Sequence, residues 1–245
     1  MGAGEPVTVF AHGLAGSIDE TRPFGSGVVG TKVFMHFRGH GASASSDAPW
    51  TYDAVADELL AVVTAYGASR GLGVSLGAGA LLRLCSRRPE LFEKLVLVLP
   101  ATVGRPRHDP AAVRLRVQSE HARAGDLVTL AELLVTDLPV QLREQADVRA
   151  WARRQARRLA VPTVARALRE LPDLYPVDRP ETLCAVAAPA LVIGQEDDAA
   201  HPASVARELA RLLPAAELKI FDGGGLMWLH RAELRRTVSS FLNAT

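Results

Sequence analysis

The chain has 245 residues, 48% of them hydrophobic and 22% charged, with a formal net charge of +1. That length suits one α/β-sized domain with room for an inserted subdomain. The near-neutral balance gives no global field to draw nucleic acid or a membrane surface. The two cysteines, Cys85 and Cys184, lie outside any C-x-x-C spacing, and Cys85 falls on an apolar helix as a buried free thiol. The segment Met1 to Pro6 has no basic n-region, and no run of about 18 apolar residues occurs, so the expectation is a cytoplasmic protein without a membrane span.

In chain order, Val7–Ala11 is a β-rich run that enters the turn His12-Gly13-Leu14-Ala15-Gly16-Ser17. Thr31–Phe37 is a second strand, followed by Arg38-Gly39-His40-Gly41. Tyr52 to Tyr66 carries Val55, Leu59, Val62 and Val63 at helical spacing. Ala68–Val74 is a poor strand by propensity, because it holds glycines and Arg70. It leads into Leu76–Arg87, apolar nearly all round, and then the buried strand Lys94–Leu99. From Thr102 to Ala187 no β-rich run survives, and arginine-rich helical pattern broken by prolines predicts an all-helical insertion. Ala190–Ile193 resumes as a strand, Ala203–Leu213 as a helix, Glu217–Phe221 as a strand and His230–Leu242 as a final helix. Strands alternating with helices predict a mostly parallel α/β sheet flanked by helices. The domain division is 1–101 with 188–245 as the core and 102–187 as the insertion.

The stretch that organises this pattern is Gly73-Val74-Ser75-Leu76-Gly77, a G-x-S-x-G between a strand and a helix. There the serine occupies a strained turn and presents its hydroxyl to an open site, with helix amides aimed at it. A dinucleotide loop is the rival, since Gly71, Gly73 and Gly77 spell G-x-G-x-x-x-G. That motif needs an acidic residue near the end of the next strand, where Pro100-Ala101 stand instead.

With these pieces in place, the chain from Val7 to Leu242 resembles the α/β-hydrolase superfamily. The matching segments are His12 to Ser17, Phe37 to Gly41, the serine turn, Arg88 to Pro100, and Pro189 to Pro202, which matches the family's acid-bearing loop. The resemblance implies a helical cap over the site, which fits the insertion at 102–187. It also implies two leading antiparallel strands, for which there is no room ahead of Val7, so the sheet is expected to be trimmed at that edge.

Residue by residue, the resemblance makes Ser75 the nucleophile, the amides of Leu14 and Leu76 the oxyanion hole, and Asp198 the orienting acid, with Asp197 as the neighbouring alternative. His12 and His40 resemble histidines that hold loops. His201 reads as a loop residue too close to Asp198 to be a base, and His36, His108 and His121 have no supporting neighbours. No metal set or cofactor is implied. The triad histidine of the family follows the last strand through a glycine-rich turn, yet here Asp222-Gly-Gly-Gly225 leads to Leu226. His230 is the nearby candidate for the catalytic base. A helix starting at Leu226 would leave it about 6 Å along the axis, whereas an extended 223–229 would return it to Ser75. Met227 and Trp228 present apolar surface for substrate.

The expected function is hydrolysis of an ester, thioester or related acyl bond of a small apolar substrate. The alternative is a fold member that has lost hydrolysis and binds a ligand or promotes cyclisation or isomerisation. On the insertion, Arg149, Arg153 and Arg157 repeat every four residues as a basic stripe. It reads either as a solvated face or as a surface for an anionic substrate. Leu133, Leu134, Leu138, Trp151 and Leu159 are available to roof an apolar pocket. Small-molecule substrate, with neither nucleic acid nor membrane, completes the expectation.

Overall fold

The computed structural model describes residues 3–244. Six strands form one all-parallel sheet in the order β2-β1-β3-β4-β5-β6: β1 (Val7–Ala11), β2 (Thr31–Phe34), β3 (Arg70–Val74), β4 (Lys94–Val98), β5 (Ala190–Gln195) and β6 (Ala216–Phe221). The first strand lies inside the sheet, with β2 as its edge, so the leading antiparallel pair is absent among the described residues. The crossover from β1 to β2 carries the short helix α1 (Ile18–Thr21).

One face of the sheet is covered by α2 (Tyr52–Tyr66), α3 (Leu76–Arg87) and α8 (Ala203–Leu212). Val55, Leu59, Leu81, Leu84 and Leu209 bury there against Val9, Leu97 and Val192. The other face is covered by α9 (Leu226–Leu229), α10 (Arg231–Asn243) and the chain around Phe24, which pack on Phe10, Leu72, Val96 and Ile193. A strand buried on both faces reads as a continuous apolar run, which is why β4 and β5 are so plain in the sequence.

Between β4 and β5 the described residues hold four α-helices and no strand: α4 (Pro110–Ala124), α5 (Leu127–Thr136), α6 (Ala146–Leu159) and α7 (Pro162–Glu170). Each of the first two is started by an aspartate, since Asp109 accepts from the Ala112 amide and Asp126 from the Thr129 amide. Their apolar stripes bury against one another and against Ala15 in a separate core. No helix among the described residues is long and apolar enough to cross a membrane.

The glycines of β3 explain a strand of poor propensity. A Cβ on Gly71 would lie 2.7 Å from Leu81 Cδ2, and one on Gly73 would lie 2.4 Å from the Gly77 backbone. They let α3 descend onto the sheet directly behind the serine, and β1 and β4 supply the ladder on either side. Gly77 is as tightly bound, since its Cβ would meet the Ala11 carbonyl at 2.3 Å. Gly77→Ala is therefore expected to cost about 1–3 kcal/mol of stability through forced backbone displacement. An unchanged urea midpoint would show that α3 can retreat freely.

Candidate active site

Ser75 joins β3 to α3 with φ +50° and ψ −105°, a left-handed conformation that a non-glycine residue seldom adopts. The neighbours hold it there. Its amide donates to the Val98 carbonyl (2.9 Å), and its carbonyl accepts from the Gly79 amide (3.0 Å). The hydroxyl is thereby lifted out of the sheet towards a cavity that it lines together with Leu14 and Leu76.

The turn after β1 lies directly against the serine. A Cβ on Gly13 would touch Ser75 Cβ and the Val74 carbonyl at 3.4 Å. The turn is fixed from behind by three imidazoles. His12 Nε2 accepts from the Phe37 amide (3.2 Å), His40 Nε2 from Ala15 (2.9 Å) and His36 Nε2 from Ile18 (3.2 Å). Nδ1–H of His12 donates to the Gly13 carbonyl (2.7 Å) and that of His40 to Arg38 (2.8 Å). A ring accepting from a backbone amide is neutral. Burial pushes the His12 pKa down to about 3, with His40 adding to the shift, and burial also lowers His40 and His36. His36, which has no supporting neighbour in the sequence, thus belongs to the same scaffold.

The loop after β5 carries both remaining polar groups. Asp198 Oδ1 accepts from the amides of Ala200 (2.8 Å) and His201 (3.0 Å). Its Oδ2 accepts from Gln195 Nε2 (2.5 Å) and from His201 Nδ1 (3.1 Å). Nε2 of the same imidazole lies 2.9 Å from Ser75 Oγ. Burial alone would raise the Asp198 pKa, but the His201 charge and the bonds from His201 and Gln195 hold it well below the carboxylate range. Asp197, the neighbouring alternative, is exposed at φ +56°.

His230 is not brought to the serine. The last strand ends in Asp222 to Gly225, and α9 begins at Leu226, so the imidazole lies one turn further on. Its Nε2–H donates to the Asp222 carbonyl (3.1 Å), and its ring packs on Phe221 at 5.2 Å. His201, read from the sequence as a loop residue, takes the place beside Ser75 instead. Compact loop geometry makes this possible: Asp198 and His201 are three residues apart, so the turn that binds the amides also aligns the ring. The sequence reading also misses Gln195. It is buried at the end of β5, where its Oε1 accepts from the Leu226 amide (2.6 Å) while Nε2 holds Asp198. One amide side chain therefore ties the turn after β6 to the acid loop. A polar residue closing the apolar strand Ala190–Gln195 is the signal that could have found it.

A family model described as alpha/beta hydrolase fold matches residues 6–228. The chain belongs to that family. Among its curated relatives is a Rhizobium rhizogenes protein named as a carbamate hydrolase, RutD. It is 28% identical over 196 residues, which cover 78% of this chain and 74% of that protein. The enol-lactonase of Burkholderia xenovorans LB400 superposes with a TM-score of 0.78 at 21% identity, covering 99% of this chain and 95% of its own. A thermophilic esterase from Thermogutta terrifontis gives 0.80 at 19% identity, covering 98% and 90%.

Within this α/β-hydrolase frame, a cavity of about 870 Å³ opens over Ser75. Leu134, Leu138, Trp151 and Leu159 of the helical insertion line it, as do Met227 and Trp228 from α9. Leu133 does not take part. Trp151 and Trp228 meet edge to face at 6.0 Å. The predicted stripe of Arg149, Arg153 and Arg157 does not face the cavity. Arg149 pairs with Glu132 and Glu144, while Arg153 and Arg157 are exposed. Arg154 and Arg158, one position along the same helix, line the cavity, and Arg158 pairs with Glu20 at 2.7 Å. No group of three or more His, Cys, Asp or Glu among the described residues is arranged to hold a metal ion.

Proposed function

We propose that this α/β-hydrolase-fold protein is a serine hydrolase that cleaves an ester, thioester or related acyl bond of a small substrate with a sizeable apolar part. The observation that carries the reading is the continuous line Asp198, His201, Ser75, with contacts of 3.1 and 2.9 Å. Asp198 accepts a hydrogen bond from Nδ1–H of His201 and so leaves the Nε2 lone pair facing the serine hydroxyl, the arrangement a general base requires.

In this reading Ser75 attacks the acyl carbon as His201 removes its proton. The carbonyl oxygen gains negative charge at the mouth of the β1 turn, where the amides of Leu14 and Leu76 receive it. The imidazolium, stabilised by Asp198, then protonates the leaving group as the acyl–oxygen or acyl–sulfur bond breaks. Water attacks the acyl-serine with His201 again as base, releasing the acid and restoring the serine. The helical insertion acts as the cap, and its leucines and Trp151 exclude water from the acyl group. The relatives named for carbamate hydrolysis and enol-lactone cleavage support hydrolysis of small acyl compounds, so both bond types belong in the substrate screen. An assembled base disfavours the alternative of a fold member that has lost hydrolysis.

Two measurements check the reading. A fluorophosphonate should label the wild type and leave Ser75→Ala unlabelled; labelling that survives the substitution would place the nucleophile elsewhere. Across a series of p-nitrophenyl esters, kcat/KM should rise by about 15-fold from acetate to butyrate and further towards medium chains, since each buried methylene contributes about 0.8 kcal/mol. A flat series would contradict an apolar acyl pocket under the cap.

A further inference from the structure

The base and the acid share one loop, and this has a mechanical consequence. In a triad whose members come from separate elements, each is positioned by its own strand. Here Asp198 and His201 can drift together, still bonded to each other, while the imidazole leaves the serine. Their mutual hydrogen bonds cannot prevent that; a contact from outside the loop is required.

Arg107, between β4 and α4, provides one. Its side chain is buried, with 7% of the residue exposed, and it also borders the cavity. Nη1 donates to the Ala200 carbonyl (2.8 Å) and Nη2 to that of Ala199 (3.3 Å), the two residues that separate the acid from the base. Nε and Nη2 also bind Asp109 Oδ2 at 3.1 and 2.9 Å, and Asp109 Oδ1 caps α4 through the Ala112 amide (2.9 Å). The Arg107 amide is itself anchored on the Pro172 carbonyl at 2.7 Å. The loop is thus pinned along both edges, the amides of Ala200 and His201 by Asp198 and the carbonyls of Ala199 and Ala200 by Arg107.

We infer that Arg107 is a positioning residue for His201, fixing the acid–base loop against Ser75 and coupling it to the first helix of the insertion. The inference rests on His201 being the base. Only a guanidinium can span these partners, because its planar fork offers five donors in fixed directions, whereas an ammonium is a single point. Asp109 neutralises the added charge, so the cation does not oppose formation of the imidazolium beside it. A base displaced by about 1 Å loses on the order of 100-fold in rate, the effect expected on losing this clamp.

The test is the rate at which a fluorophosphonate labels Ser75, which needs no knowledge of the natural substrate. Arg107→Ala, shown to be folded by circular dichroism, should label about 100-fold more slowly than wild type. Guanidinium chloride at sub-denaturing concentration should restore part of the rate by refilling the site, an effect that a merely structural role would not give. Should the alanine variant fail to fold, Arg107→Lys keeps the stem and the charge and should still label more slowly than wild type. Unchanged labelling in a folded Arg107 variant, or a loss that guanidinium does not touch, overturns the inference. If His201→Ala slows labelling while the Arg107 variants do not, the base assignment stands and the clamp falls. A wild type that does not label at all overturns both.

Discussion

His201→Ala is expected to lower kcat for ester hydrolysis by about 10⁴- to 10⁶-fold, the range seen when a triad loses its base, while His230→Ala leaves kcat near the wild-type value. The asymmetry follows from the contacts each ring makes. His201 lies 2.9 Å from Ser75 Oγ and is oriented by a buried carboxylate, whereas His230 is engaged with the Asp222 carbonyl. KM should change little in either case, because neither substitution alters the apolar lining from Leu134, Leu138 and Trp151. The measurement is steady-state kinetics on a p-nitrophenyl ester with both variants at matched purity. A large loss on replacing His230, or none on replacing His201, would return the base to the turn after β6.

The second large effect concerns acid. The unfolded chain takes up a proton on each histidine near pH ~6.5, but the folded protein resists this at His12, His36 and His40, and at His12 down to about 3. Between those values the unfolded state binds more protons, so stability falls as the pH falls. His12 alone contributes a slope of about 1.4 kcal/mol per pH unit through that window. The Asp198 carboxyl, held below its ordinary range, keeps its own contribution until the pH drops below ~4 and loses it only under more acidic conditions. Urea midpoints should therefore fall from pH 7 to pH 5, before carboxylates begin to titrate. A midpoint that stays level over that interval would mean the three rings are not held neutral as described. Because the rings brace the turn carrying Leu14, activity should decline over the same interval.

Most of the frame was legible because parallel strands buried on both faces and amphipathic helices leave plain patterns. The predicted helices at Tyr52–Tyr66 and Leu76–Arg87 match the observed ones residue for residue, and β4, β5 and β6 differ only by end residues. β3 was visible only through its motif, since Gly71 and Gly73 serve the approach of α3 and weaken every strand signal. The basic stripe of Arg149, Arg153 and Arg157 is the solvated face that the sequence offered as one of its two readings. The row that lines the cavity, Arg154 and Arg158, was not singled out, because helical spacing alone does not say which of two arginine rows faces inward. The candidate site was half legible. Ser75, Asp198, Leu14 and Leu76 were singled out from short motifs whose geometry depends on local backbone, and the structure brings Ser75, Leu14 and Leu76 to one cavity with Asp198. The proposed base was not singled out, because sequence spacing makes a histidine three residues from Asp198 look like a loop residue. Only the turn formed by the Asp198–amide bonds, with the Gln195 and Arg107 contacts around it, aims that ring at a serine 126 positions away.

The central claim is that Ser75 is served by the imidazole of the β5 loop. The most direct measurement is the ¹⁵N NMR spectrum of the histidine rings before and after a fluorophosphonate modifies Ser75. Phosphonylation removes the Ser75 O–H that His201 Nε2 accepts, so the His201 nitrogen resonances should shift, while those of His230 stay in place. A spectrum in which His230 responds and His201 does not would contradict the account.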